Sequence, residues 1–413
     1  MRNINELTKN SKSPFFYGYT IIAASFFIQI IVWGIANSFG VFFAPLLNEF
    51  NWTRATLSGA ASLCFLVHGF ISILMGNFND RFGPRLIMTG CGIVLGTGFL
   101  LMGTINSIWH LYLFYGLVAG VGLSATDVVL LSTTARWFEK KRGMMSGIIK
   151  VGTGLGMVIM PIFITWLLNG YGWRSAFTVL GATILVSVIF FAQFLVRDPA
   201  AKAQFIDNKT DYTSANLNKT EVGLTFHEVI STRQFWIICS IYFIILFCVF
   251  TIIIHIVQHA IDLAIQPGVA AGILAVVGGA SIAGRFMMGI AGDRIGDKKG
   301  LIICLLLLLT ALIWLQIASY LWMFYLFAII YGFAHGGFFS LVSPLLARLF
   351  GTKSHGSIYG IVIFCSTLGG AIGPLAAGYI FDITHSYNII FLLLAAMCTM
   401  ALMLTAFLKS IKV

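Results

Sequence analysis

Charge is scarce in this chain. Asp, Glu, Lys and Arg make up 9% of its 413 residues, against roughly a quarter in ordinary soluble domains, so a water-facing surface of normal area cannot be covered. The seven cysteines (Cys64, Cys91, Cys239, Cys248, Cys304, Cys365 and Cys398) all fall in apolar stretches without CxxC spacing. That excludes a zinc knuckle or a redox pair and leaves them as small core hydrophobes. Missing too are a nucleophile with its base, a P-loop, a dinucleotide fingerprint and a metal-ligand cluster, so neither an enzyme nor an ATP-driven pump is expected. The polar opening MRNINELTKNSKSP leads into apolar segments with no small-residue cleavage site, and no removable signal peptide is expected.

What is present is apolar surface: 59% hydrophobic residues and a mean hydropathy of +0.95. Lipid is the expected solvent. A spanning helix needs about 20 apolar residues, and such segments lie near 17–43, 55–77, 86–106, 108–135, 143–168, 174–196, 235–263, 269–291, 300–318, 321–350, 356–380 and 387–409. The expectation is an all-α membrane protein with twelve transmembrane helices in two pseudo-symmetric six-helix bundles. The only long polar interval, 197–233, divides the chain into a bundle at 1–196, a flexible cytoplasmic linker and a bundle at 234–413. Asn208 and Asn218 begin glycosylation-like triplets in that linker and are discounted there.

Of the 25 Lys and Arg, only Arg54 and Arg174 fall on one side of this map and Lys150 and Arg285 within spans; every other one falls on the side of the termini. The positive-inside rule puts both termini and the linker in the cytoplasm and accounts for the net charge of +11 without nucleic acid.

The halves repeat. GNFNDRFGPR at 76–85 recurs as GIAGDRIGDKK at 289–299, LYLFY at 111–115 parallels LWMFY at 321–325, Arg136 parallels Arg348 and Gly147 parallels Gly360, at separations of 210 to 213 residues. A shared offset at four places argues for duplication of a six-helix unit. In the repeated loops Asp80 and Asp293 are placed to cap or pair near a neighbouring helix end, while Arg81 and Arg294 are expected to meet phosphates or carboxylates, as an inward gate.

The doubled G-x-x-x-D-R-x-G loop resembles the signature of the major facilitator superfamily. Within it, RWFEKKRGMMSGIIKVGTGLG at 136–156, Gly284-Arg285-Phe286 and Asn37-Ser-Phe-Gly-Val-Phe-Phe are similar to stretches of the monocarboxylate transporters and the related oxalate/formate antiporters. Asn37 and Ser281 stand where the animal monocarboxylate transporters carry a lysine and an acid, and the eleventh span lacks the lysine of the oxalate antiporters. The resemblance implies alternating access by a monomer around a central site, with Arg285 holding the substrate and Phe364 and Cys365 at cavity positions.

The residues themselves point to the same layer. Asp127 lies nine residues before Arg136, Lys150 eight after Arg142 and Arg285 eight before Asp293, which at about 1.5 Å per residue puts all three roughly 12 to 14 Å above the inner boundary. Ionisable groups at that depth cost a few kcal/mol and mark functional sites. Asp127 and Lys150 fit a buried ion pair or a proton-coupling site. Arg285, with no acid of the second half at its level, suits a substrate carboxylate, which a guanidinium fork binds bidentately.

Helical spacing aligns Gln29, Trp33 and Asn37, then Phe247, Thr251, His255 and His259, then Tyr331, His335 and Phe339. These stripes line a cavity or serve helix packing. No third ligand joins His255 and His259, so no metal is expected. The expectation is a secondary transporter of a small organic anion, most simply a lactate- or pyruvate-like monocarboxylate taken up with a proton and no cofactor. Oxalate/formate exchange and drug efflux are the alternatives within transport, and a transport-inactive receptor, which would bring an added cytosolic domain, the alternative outside it.

Overall fold

In the computed structural model, residues 16–202, 223–384 and 386–409 are described. Apolar runs become helices because lipid leaves backbone N–H and C=O groups no partner outside the segment. The spans are α1 Gly18–Asn37, α2 Arg54–Phe82, α3 Pro84–Met102, α4 Ile108–Trp137, α5 142–171, α6 173–192, α7 Arg233–Asp262, α8 Pro267–Ile295, α9 Asp297–Leu315, α10 Leu321–Phe350, α11 His355–Thr384 and α12 Asn388–Ala406. The fifth and sixth run on as one 51-residue helical stretch broken at Gly172, whose φ of 75° and ψ of 170° turn the chain. Only glycine takes that conformation without strain.

The first span runs helically from Gly18 to Phe50, past its expected end at 43, but changes character on the way: the α-helix closes at Asn37, where Ser38 Oγ donates to the Gly34 carbonyl (2.6 Å), and a tighter turn over Phe39–Phe42 leads into a short helix, Phe43–Phe50. The interval expected to be a flexible linker lies partly outside the described residues, at 203–222. Its far end is ordered. Leu224 N donates to Phe350 O (3.0 Å), and Phe226–Ile230 forms a helix closed by a capping box between Thr225 and Glu228.

The two halves meet along two seams, α2 on α11 and α5 on α8, and the sequence repeat is visible in both. Gly76 on α2 lies against the backbone of Gly356 on α11, and Gly289 on α8 against that of Gly143 on α5. A Cβ at any of these four would strike a backbone carbonyl, so only glycine permits this approach. One helical turn deeper, Gly360 faces the Ser72 carbonyl and Gly147 faces the Arg285 carbonyl. Contact therefore runs from the basic end of the bundle up to the charged layer.

Candidate functional site

At mid-height, α4 and α5 of the first half and α8 and α10 of the second bring their polar groups to one place. Asp127 on α4 accepts from three donors on a single oxygen, Oδ1: Lys150 Nζ at 2.5 Å, Gln29 Nε2 at 2.8 Å and Trp33 Nε1 at 3.2 Å. Thr153, one turn along from Lys150, donates to Gln29 Oε1 (2.6 Å) and so fixes which end of the amide points at the carboxylate. The Lys150 side chain is 3% exposed and that of Asp127 11%. Removing either partner alone would leave a buried charge unpaired, at a cost of about 3–5 kcal/mol.

Arg285 approaches from across the seam. Its Nη1 donates to the backbone carbonyl of Lys150 (3.3 Å), and its Nε is buried without a hydrogen-bond partner among the described residues. Gly154 makes room for it, since a Cβ there would crowd Nη1. The Phe339 ring lies 5.7 Å from Lys150 Nζ and 5.9 Å from the Arg285 guanidinium, within cation–π range of both. His335 stands edge-on to Phe339 (5.2 Å between centroids), with its Nδ1 buried and unpartnered among the described residues. Three of the residues singled out in the sequence, Asp127, Lys150 and Arg285, thus share one cluster, and His335 joins through Phe339.

Tyr331 stacks on His335 (6.1 Å between centroids) and spends its buried hydroxyl on the Val249 carbonyl of α7 (2.7 Å), tying two helices of the second half together beside the cluster. The others lie elsewhere. Asn37, two turns above Gln29, is exposed and donates to the Trp33 carbonyl of its own helix (2.7 Å). Phe364 meets Phe70 of α2 edge-on (6.0 Å) in the seam. Cys365 faces Cys239 in a cleft of about 350 Å³ also lined by Trp236 and Met400, away from the charged layer. His255 is engaged by Tyr387 and the Pro374 carbonyl, and His259 sits among Phe324, Tyr387 and Phe391. That stripe packs within the second half.

Asp80 accepts from the Gly356 and Ser357 amides (3.2 and 3.0 Å) and from Ser357 Oγ (3.0 Å), and Asp293 accepts from the Gly143 and Met144 amides (both 2.7 Å). Each aspartate thus caps the first turn of a helix in the opposite half, where orphan N–H groups and the helix dipole favour an anion. Arg136 lies 2.8 Å from Asp80, and Arg348 lies 3.8 Å from Asp293 and 2.7 Å from the buried Asp297. Arg81 and Arg294, expected to meet phosphates or carboxylates, are exposed. Arg81 lies over the Phe82 ring. The offset that relates Arg136 to Arg348 in the sequence carries this pairing, which the loop motif itself does not contain.

Among the described residues, eleven long apolar helical stretches, one of them broken in two at Gly172, with two halves closing on a buried charged layer, define a multi-pass membrane transporter. The chain belongs to the Major Facilitator Superfamily, whose family model matches residues 22–284 and again 238–412. It is 30% identical over 393 residues to monocarboxylate transporter 13 of Bos taurus, covering 92% of this chain and 86% of that one. It is 26% identical to the uncharacterized MFS-type transporter YcxA of Bacillus subtilis (94% and 93% covered) and 25% identical to the oxalate:formate antiporter of Oxalobacter formigenes (94% and 90% covered). Among solved structures, the human organic anion transporter MFSD10 aligns over 94% of this chain and 99% of its own with a TM-score of 0.71 at 16% identity. FucP in the outward conformation does so with a TM-score of 0.73 at 14% identity over 94% and 99%. At such identity these two speak for the fold alone.

Proposed function

We propose that this protein is a secondary transporter that moves a small monocarboxylate together with a proton across the plasma membrane of a bacterium, as a monomer with both termini in the cytoplasm. The observation that carries this reading is Arg285, a buried guanidinium whose Nε has no partner among the described residues and whose Nη1 donates to a backbone carbonyl. A cation so placed is costly unless an anion completes it. A carboxylate fits its fork.

Charge counting sets the stoichiometry. Asp127 is negative and Lys150 and Arg285 positive, which leaves one positive charge for one monoanion. Carrying a negative charge into an inside-negative cell costs about 2.3 kcal/mol per 100 mV, which a co-transported proton cancels. Asp127 is the acid at this depth and the carrier we assign. The names of the relatives, monocarboxylate transporters and an oxalate:formate antiporter, support a small carboxylate. The aspartate-capped seams, with Asp80 and Asp293 at their ends, serve as the inner gate in the rocking of the halves. Uptake of radiolabelled lactate, pyruvate, acetate, formate and oxalate into vesicles tests the reading. It expects acid-stimulated net uptake of at least one monocarboxylate. Transport of none of the five would refute it, and oxalate accepted only in exchange for formate would replace symport by antiport.

A further inference from the structure

Asp127 uses its two oxygens unequally. All three donors converge on Oδ1, and Oδ2 accepts none among the described residues. The side chain nevertheless keeps 11% of its surface open. A proton arriving from water therefore has a vacant oxygen to bind and need not displace Gln29 or Trp33, which both go on donating, more weakly, to the carbonyl oxygen of the neutral acid. The third donor is affected differently. Lys150 loses the charge that holds it, and an ammonium is left buried beside Arg285 across the Phe339 ring.

We propose that Lys150 is a second substrate-binding cation, held in reserve by Asp127 and released to the substrate carboxylate when a proton adds to Asp127 Oδ2. The carboxylate is then bridged between Lys150 of the first half and Arg285 of the second. This rests on the monocarboxylate reading above and deepens it. Lys150 and Arg285 are on the helices of one seam, α5 and α8, so an anion shared between them ties the halves together at the layer where their backbones already touch.

The step balances without any co-reactant. The proton forms an O–H bond at Oδ2, the Lys150 to Asp127 ion pair becomes a Lys150 to substrate ion pair, and both reverse on release. With a proton and a monoanion aboard, the cluster carries the same net charge as when empty, so loaded and empty carriers cross under equal electrical load. Proton and substrate become mutually dependent, because an ionised Asp127 and a substrate carboxylate compete for one ammonium. The other titratable groups within electrostatic reach of Asp127 are His68 on α2, Tyr359 on α11 and Arg285 on α8, and His335 on α10 lies within reach of Arg285.

Purified full-length protein and the best-transported monocarboxylate of the uptake panel provide the test. Binding is measured by equilibrium dialysis between pH 5 and 8, and exchange by counterflow in proteoliposomes. In wild type, affinity should rise as pH falls. Asp127→Asn, which leaves Lys150 permanently free, should bind at pH 8 about as tightly as wild type binds at pH 5, with counterflow retained and proton-driven accumulation lost. The decisive comparison is Asp127→Asn against Asp127→Asn with Lys150→Gln. In that background no ion pair remains to be broken, so a purely structural lysine predicts equal or better binding by the double variant. We expect tenfold weaker binding or worse, as for loss of a charge-assisted bond, and recovery on replacing Gln by Arg at position 150. Equal affinity in the two variants would overturn the proposal while leaving the monocarboxylate reading intact, as would Asp127→Asn with wild-type pH dependence. Absence of binding by wild type would overturn the monocarboxylate reading itself.

Discussion

Removing the carboxylate of Asp80 should open the seam between α2 and α11. Oδ1 of Asp80 takes Arg136 Nη2 and the Gly356 amide, and Oδ2 takes the amide and hydroxyl of Ser357. Asparagine at this position keeps one acceptor and turns an NH2 group toward donors, so at least two bonds to a charged acceptor are lost and Arg136, 5% exposed, is left buried without its anion. At about 1.5–3 kcal/mol for each bond to a charged group, and allowing for the second latch at Asp293, a shift of roughly 3 kcal/mol is expected, more than a hundredfold in the ratio of closed to open seam. Positions 81 and 353 are exposed on either side of this seam. Spin labels on Arg81→Cys and Lys353→Cys, in a chain whose seven native cysteines are replaced, report the gap by pulsed electron resonance. Asp80→Asn should move population from the short distance to a longer one, and Asp80→Asn with Asp293→Asn should move more. An unchanged distance distribution in the double variant would refute the assignment of these aspartates as the gate.

Three further outcomes follow from the geometry. Arg285→Gln removes the fork and should weaken substrate affinity more than tenfold with the protein still inserted and monodisperse, as read by equilibrium dialysis; unchanged affinity would exclude Arg285 from the site. Gly147→Leu puts a side chain against the Arg285 carbonyl and should hold the α5–α8 seam apart, abolishing counterflow and leaving Met144 replaced by Cys reactive to cytoplasmic maleimide; normal counterflow would contradict the close seam. Membrane-impermeant labelling of single cysteines in intact cells should miss Lys298 replaced by Cys, on the basic side, and reach Arg174 replaced by Cys on the opposite one; the reverse pattern would invert the orientation.

The fold was legible because lipid imposes a simple rule on sequence, and twelve apolar runs of helical length satisfy it. The depth of Asp127, Lys150 and Arg285 was legible for a similar reason, since distance along a helix converts to height in the membrane. Rotation about the helix axis is the harder quantity. Asn37 continues the stripe of Gln29 and Trp33 on a helical wheel, yet the helix ends there and its amide returns to its own backbone. Cys365 follows Phe364 in the chain, yet it turns to Cys239 while its neighbour turns to Phe70. Likewise the pairing of Asp80 with Arg136, 56 residues apart, depends on how two helices, α2 and α4, are oriented, which a loop motif does not encode. Thr153 escaped notice because a lone threonine in an apolar helix has no distinguishing spacing; only the Gln29 amide shows what it does.

Substrate-evoked proton entry into proteoliposomes tests the central claim most directly. With an entrapped pH-sensitive dye and the membrane potential clamped, adding the transported monocarboxylate to wild-type vesicles should acidify the lumen with one proton per substrate. Asp127→Asn should exchange substrate without that signal. Substrate accumulation in wild type without acidification would contradict proton-linked transport, and full acidification by Asp127→Asn would place the proton elsewhere than on Asp127.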